Sequence, residues 1–413
     1  MKKIVSVLLA ATLVLSLTGC QKTPSTSSTS SEPEVSVETS TEASVEASVE
    51  ASVEEEVKEE VVEEEPVPTY SLKELFASHN MKVGTCLTTQ MITTPNFEKL
   101  ILDQFSSATM ENDMKPDYIL DKAASQAKNE LVVSFNDNMI KMLDWAKENG
   151  IALRGHTLVW YSQTPNWIFY DNFDAGGKLV GREEMLRRMD SYFSQVFEQL
   201  KILGYIDLFY AYDVANECWM EDGSMRENFW KQTIGDDYLW QAFKIANKYA
   251  PESISLFYND YNEQFKTDTL YDFVNTLVDE NGNYLIDGIG FQAHLYTEDS
   301  LDDYFATMDK LASTGLEIQL TELDVCLGRY MHPGIATQDN LKTQGQFYYD
   351  LVNGILERVD NGTLKSNAIT FWGFTDALSW RKEYNPCLYN KLYKEKYAYY
   401  GAVQAKELAG FDE

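Results

Sequence analysis

Two glutamates, Glu217 and Glu322, each close a short apolar run. The first run is Ala211-Tyr212-Asp213-Val214-Ala215-Asn216-Glu217 and the second is Glu317-Ile318-Gln319-Leu320-Thr321-Glu322. Runs of this kind read as buried strands. Carboxylates that end two strands far apart in the chain can face each other across one site. One acting as nucleophile and the other as proton donor, about 5–5.5 Å apart, cleave a glycosidic bond with retention of configuration.

Positioning such a pair needs a rigid frame, and the pattern from Tyr70 onward supplies one. Short β-rich runs lie at 82–87, 107–111, 152–158, 208–214, 254–258, 288–291, 317–320 and 368–372. Amphipathic helical patterns fall between them at 138–149, 183–203, 238–249, 267–280, 300–314 and 340–360, and Gly150 ends the first as a C′ glycine does. Alternating β and α elements imply a parallel sheet, and eight repeats imply closure into a (β/α)8 TIM barrel of class α/β. In that architecture the C-terminal strand ends carry the chemistry. Glu217 is expected to end the fourth strand and Glu322 the seventh.

The strand ends also carry six ordered motifs. These are Glu111-Asn112-Asp113-Met114-Lys115-Pro116, then Arg154-Gly155-His156-Thr157-Leu158-Val159-Trp160 with Ser162-Gln163-Thr164-Pro165 and Trp167, and Tyr212-Asp213-Val214-Ala215-Asn216-Glu217. Asp287-Gly288-Ile289-Gly290-Phe291-Gln292-Ala293-His294-Leu295, Thr321-Glu322-Leu323-Asp324, and Phe371-Trp372-Gly373-Phe374-Thr375-Asp376 with Ser379-Trp380-Arg381 follow. Together they resemble family 10 of the glycoside hydrolases, the endo-β-1,4-xylanases, across 70 to about 404. The resemblance implies Glu217 as acid/base, Glu322 as nucleophile, His294 as the histidine bonded to the nucleophile, and Asp324 as the carboxylate orienting it. It implies that Lys115, His156, Asn216 and Gln292 hold sugar hydroxyls near the cleavage point. Glu111, Asn112 and Gln163 would serve the next subsite on the non-reducing side. Trp160, Trp372 and Trp380 would line the cleft, and Tyr261 would stack on the leaving-group side. Xylan or xylo-oligosaccharides are the implied partners, with no cofactor and no metal. A β-1,4-glucanase on the same barrel is the alternative substrate reading; Lys115 and Trp380 crowd the extra CH₂OH of glucose and favour xylose. A non-catalytic polysaccharide-capturing barrel is a further alternative, and the intact glutamate pair argues against it.

Tyr161 stands where the family usually has a second histidine, and a neutral side chain there should shift the pH optimum. Tyr212 replaces the common Trp, and Val214-Ala215 replace a bulkier pair. Tyr389 and the aromatic run near Tyr397 have no role argued from sequence.

The chain has 413 residues and a formal net charge of −31. Residues 1–20 carry +2 and 21–69 carry −12, leaving about −21 on the rest. So acidic a body opposes binding to nucleic acid or an anionic surface and suits a neutral polymer. Met1-Lys2-Lys3, the apolar Ile4–Leu17 and Leu17-Thr18-Gly19-Cys20 match a bacterial lipoprotein signal peptide (1–19) with acylation at Cys20. Residues 20–69 hold three Ala-Ser-Val-Glu repeats and no aromatic, the composition of a disordered acidic tether. The expected product is a monomer: a catalytic barrel at 70–413, exported, anchored in the lipid bilayer only through acylated Cys20, and facing outward. Cys86, Cys218, Cys326 and Cys387 show neither zinc nor disulfide spacing. Free thiols are expected, with a Cys218–Cys326 bridge as the alternative.

Overall fold

The computed structural model describes residues 70–405. The expected signal peptide (1–19), lipidated Cys20 and tether (20–69) lie outside the described residues, as do 406–413.

Eight strands form the frame: Lys82–Leu87 (β1), Ser107–Met110 (β2), Ala152–Val159 (β3), Phe209–Asn216 (β4), Ser255–Asp260 (β5), Gly288–Phe291 (β6), Glu317–Cys326 (β7) and Ala368–Phe371 (β8). Each pairs in parallel with its sequence neighbour, and β8 pairs with both β7 and β1, which closes the barrel. The helices that follow the strands are Pro95–Gln104 (α1), Asp137–Asn149 (α2), Arg182–Ile202 (α3), Tyr238–Tyr249 (α4), Thr267–Thr276 (α5), Leu301–Ala312 (α6), Gln338–Asp360 (α7) and Tyr397–Ala402 (α8). Their ends follow from local chemistry. Asn136 caps α2 by accepting from Met139 N, and Gly150 leaves it with φ +64°. Ser300 and Thr337 cap α6 and α7 in the same way.

All eight predicted strands and six predicted helices are present, with ends moved by a few residues. Two barrel helices, α1 and α8, were not expected. Pro95 at the first position of α1 loses no hydrogen bond, and Phe97 and Ile101 bury the helix against the barrel. The aromatic run near Tyr397 is α8, and Tyr397, Tyr399 and Tyr389 are buried there as core. The end of β7 also differs. A short segment, His294–Tyr296, pairs with Asp324–Cys326 and carries β7 past the expected end. Glu322 therefore lies within β7 and not at its terminus.

The barrel interior is partly polar. Arg154 on β3 is 1% exposed and holds Asp213 on β4 with both terminal nitrogens, while its Nε donates to Gln319 on β7 (3.1 Å). Tyr212, also on β4, is fully buried and lies over Gly155; a Cβ on that glycine would lie 2.3 Å from the ring. The tyrosine that departs from the family pattern thus fills space that the absent Cβ leaves open. Near the start of the described chain, Tyr399 Oη of α8 donates to Tyr70 O (2.7 Å), and the Tyr70 and Tyr400 rings meet edge to face at 6.0 Å.

Candidate active site

The strand register brings the carboxylates into one network. Asn216 and Asn259 are register partners on β4 and β5. Asn259 Nδ2 donates to Asn216 Oδ1 (2.9 Å) and to Glu322 Oε1 (2.8 Å). Asn216 Nδ2 in turn donates to Glu217 Oε1 (3.3 Å). Two amides therefore span from one glutamate to the other. Gln292 Nε2, just past β6, donates to Glu217 Oε1 (3.0 Å) and to Asn216 Oδ1 (3.2 Å). Thr321 Oγ1 donates to Asn259 Oδ1 (2.5 Å) and fixes which way that amide faces.

Glu217 occupies the left-handed region, φ +56°, immediately after β4. A side chain other than glycine pays about 1–3 kcal/mol to stay there, so its surroundings must hold it. Glu217 N donates to Asn259 O (2.9 Å) and Cys218 N to Tyr258 Oη (2.9 Å).

Glu322 is 6% exposed. Burial pushes its carboxyl up, but His294 Nε2 at 3.3 Å from Oε2 and the fields of His156 and Lys115 outweigh that and bring it down to about 2. Burial likewise works against a charged His294, yet Asp324 and Glu322 raise its imidazole to about 9. His294 Nδ1 lies 3.1 Å from Asp324 Oδ2, close enough for an ion pair but off the angle of a hydrogen bond. Asp324 is held from the other side by Arg381 Nη1 (2.8 Å) and Trp380 Nε1 (3.2 Å). The Trp380 ring meets the His294 imidazole edge to face at 5.0 Å and is 60% exposed over the mouth.

A cleft of about 750 Å³ crosses this mouth. It brings together Glu111, Asn112, Lys115, Trp160, Gln163, Glu217, Tyr261, Gln292, His294, Glu322, Trp372 and Trp380, all of them singled out in the sequence. Lys115 Nζ donates to Asn112 Oδ1 (3.1 Å) and Gln163 Oε1 (2.9 Å), and sits 5.0 Å from the Trp160 ring centre. Burial lowers the Lys115 ammonium pKa, and the charges of Glu322 and Glu111 oppose that shift. His156, Asn216 and Asp324 do not line the cleft; each is at most 2% exposed. His156 Nδ1 lies 2.8 Å from Asp213 Oδ2, and Trp372 packs edge to face on its ring at 5.7 Å.

Sequence reasoning gave no role to Asn259, Arg226 or Arg381. Asn259 stands two residues before Tyr261, but only its register beside Asn216 shows what it joins. Cys86, Cys218, Cys326 and Cys387 are buried free thiols, and the alternative Cys218–Cys326 bridge is not formed. Among the described residues, no group of three or more His, Cys, Asp or Glu is placed to hold a metal ion.

A closed parallel barrel with two carboxylates joined through amides at its mouth, under exposed aromatic rings, is a barrel equipped to cleave sugar chains. The family described as Glycosyl hydrolase family 10 matches residues 71–405, and the chain belongs to that family. Endo-1,4-beta-xylanase B of Butyrivibrio fibrisolvens is 34% identical over 338 residues, covering 78% of this chain and 51% of that protein. A bifunctional endo-1,4-beta-xylanase of Ruminococcus flavefaciens is 37% identical over 341 residues, covering 80% and 33%. The chain thus spans about half and a third of the length of these two relatives. Among solved structures, a Clostridium thermocellum endo-1,4-beta-D-xylanase complexed with xylohexaose superposes with a TM-score of 0.73 at 30% identity, covering 82% of this chain and 68% of that one.

Proposed function

We propose that the protein hydrolyses internal β-1,4-xylosidic bonds in xylan by double displacement, with Glu322 as nucleophile and Glu217 as acid/base. One observation carries the reading: Glu322 is flanked by the His294–Asp324 pair and by Asn259, while Glu217, two amides away, accepts from the Asn216 and Gln292 amides. In the first step Glu322 attacks the anomeric carbon, the bond to the leaving oxygen breaks, and the Glu217 proton passes to that oxygen. In the second step Glu217 takes a proton from water, the oxygen attacks the same carbon, and the Glu322 ester is released. The resemblance gives Asn216, whose amide adjoins Glu217, the contact to a 2-hydroxyl, and Glu111, Asn112, Lys115 and Gln163 form the polar wall for the next sugar. The xylohexaose in the solved relative supports a xylan-type chain in this cleft, and crowding by Lys115 and Trp380 favours xylose over glucose.

The sequence of residues 1–20 supports export and acylation at Cys20, with residues 20–69 holding a monomeric barrel outside the membrane. Metabolic labelling with a fatty-acid probe, lost in Cys20→Ala, tests the anchor. The activity is tested by trapping with a 2-fluoro xylobiosyl reagent and mapping the labelled peptide. A label on Glu322 is expected; a label elsewhere overturns the assignment.

A further inference from the structure

Arg226 makes three contacts around Glu217. After Glu217 the chain forms a small turn, pairs Trp219 with Met225, and returns so that Arg226 N donates to Cys218 O (2.8 Å). From there Arg226 Nε donates to Glu217 O (2.8 Å), Nη2 donates to Tyr261 Oη (3.0 Å), and the guanidinium carbon lies 4.2 Å from the centre of the Tyr161 ring. Three loops, after β3, β4 and β5, therefore meet on one cation beside the left-handed Glu217. Tyr161 is the position where the family's usual histidine is missing.

We propose that Tyr161 and Arg226 act together as positioning residues for the acid/base step, a role that rests on the hydrolase reading above. Arg226 fixes the strained Glu217 backbone through its carbonyl and offers its flat face to Tyr161. The Tyr161 hydroxyl then serves as a permanently protonated donor toward the Glu217 carboxylate. Burial and the Glu217 charge raise that phenol to about 12, so it stays a donor across the working range. Tyr161 and Arg226 face Glu217 from the loops after β3 and β4, with Tyr261 of the loop after β5 bonded to Arg226, Cys218 in its own turn, and Lys115 in the loop after β2. Of these, Arg226 and Lys115 are the cations, and Tyr161 adds none. A histidine at 161 would add a group titrating near pH 6.5.

The test compares kcat/KM on xylo-oligosaccharides, whose leaving group needs a proton, with kcat/KM on a 2,4-dinitrophenyl xylobioside, whose leaving group does not. Active sites are counted by 2-fluoro xylobiosyl labelling, so misfolded protein is discounted. In Tyr161→Phe the ratio of the two should fall about tenfold. The alkaline limb on oligosaccharides should move to higher pH, because a donor to the carboxylate form has gone. Arg226→Lys keeps the charge but loses fork and face, and should lower the ratio in the same direction. Tyr161→His should add an inflection near pH 6.5. A ratio and limb unmoved in Tyr161→Phe overturn the proposal. Failure of the parent enzyme to label overturns the hydrolase reading instead, and this one with it.

Discussion

Without the Asn259 amide, Glu322 Oε1 and Asn216 Oδ1 would each lose a donor at once. Asn259→Ala should therefore lower kcat by about 10²-fold with little change in KM, the signature of a group that matters most as charge develops. Asn259→Asp is sharper. A second carboxylate about 3 Å from Glu322 should oppose its ionisation, so the acid limb of kcat/KM should move to higher pH. Identical limbs in Asn259→Asp and the parent would show that this contact does not govern the nucleophile. The four residues that do the implied chemistry, Glu217, Glu322, His294 and Asp324, were legible because their flanking residues form recognisable runs. Asn259 was not, because a strand asparagine gains its meaning only from the residue beside it across the sheet. That neighbour is set by register, which sequence spacing does not state.

At the scale of elements, β3 and β4 are tied by a buried charge pair. Arg154→Met leaves Asp213 charged, buried and short of two donors, and should cost about 3–5 kcal/mol in urea unfolding. The double variant Arg154→Met/Asp213→Leu removes both charges and should cost less than the single one. A double variant as unstable as the sum of its parts would show that the pair is not coupled. Gly155→Ala would drive a methyl into the Tyr212 ring and should destabilise by about 1–3 kcal/mol. The eight strands were legible from their apolar runs and six helices from their period. The helix α1 was passed over, although Pro95 suits the first position of a helix. The true length of β7 was hidden because its last residues pair with a three-residue segment too short to announce itself.

For the whole molecule, buried titratable groups make stability vary with pH, with Glu322, His294 and Glu263 among them. Glu322 has a folded pKa of about 2, below its unfolded value near 4.3, so its contribution is present above that value and lost as pH falls toward 2. His294 is raised to about 9, so its contribution is complete below about 6.5 and lost as pH rises through 9. Glu263 is pushed up to about 8 by burial, so folding keeps a proton that the unfolded chain gives up, and stability falls between about 4.3 and 8. All three favour the mildly acidic range. Melting at about pH 5 should exceed that at about pH 8.5 by several degrees. The reverse order would mean that these groups do not dominate. One further contact has a mechanical meaning. The hydroxyl of Tyr399 grips the carbonyl of Tyr70, ahead of β1 in the chain. Any drag on the preceding segment reaches that clasp and the Tyr70–Tyr400 rings before it reaches β1. A pull on Tyr70 therefore meets α8 ahead of β1.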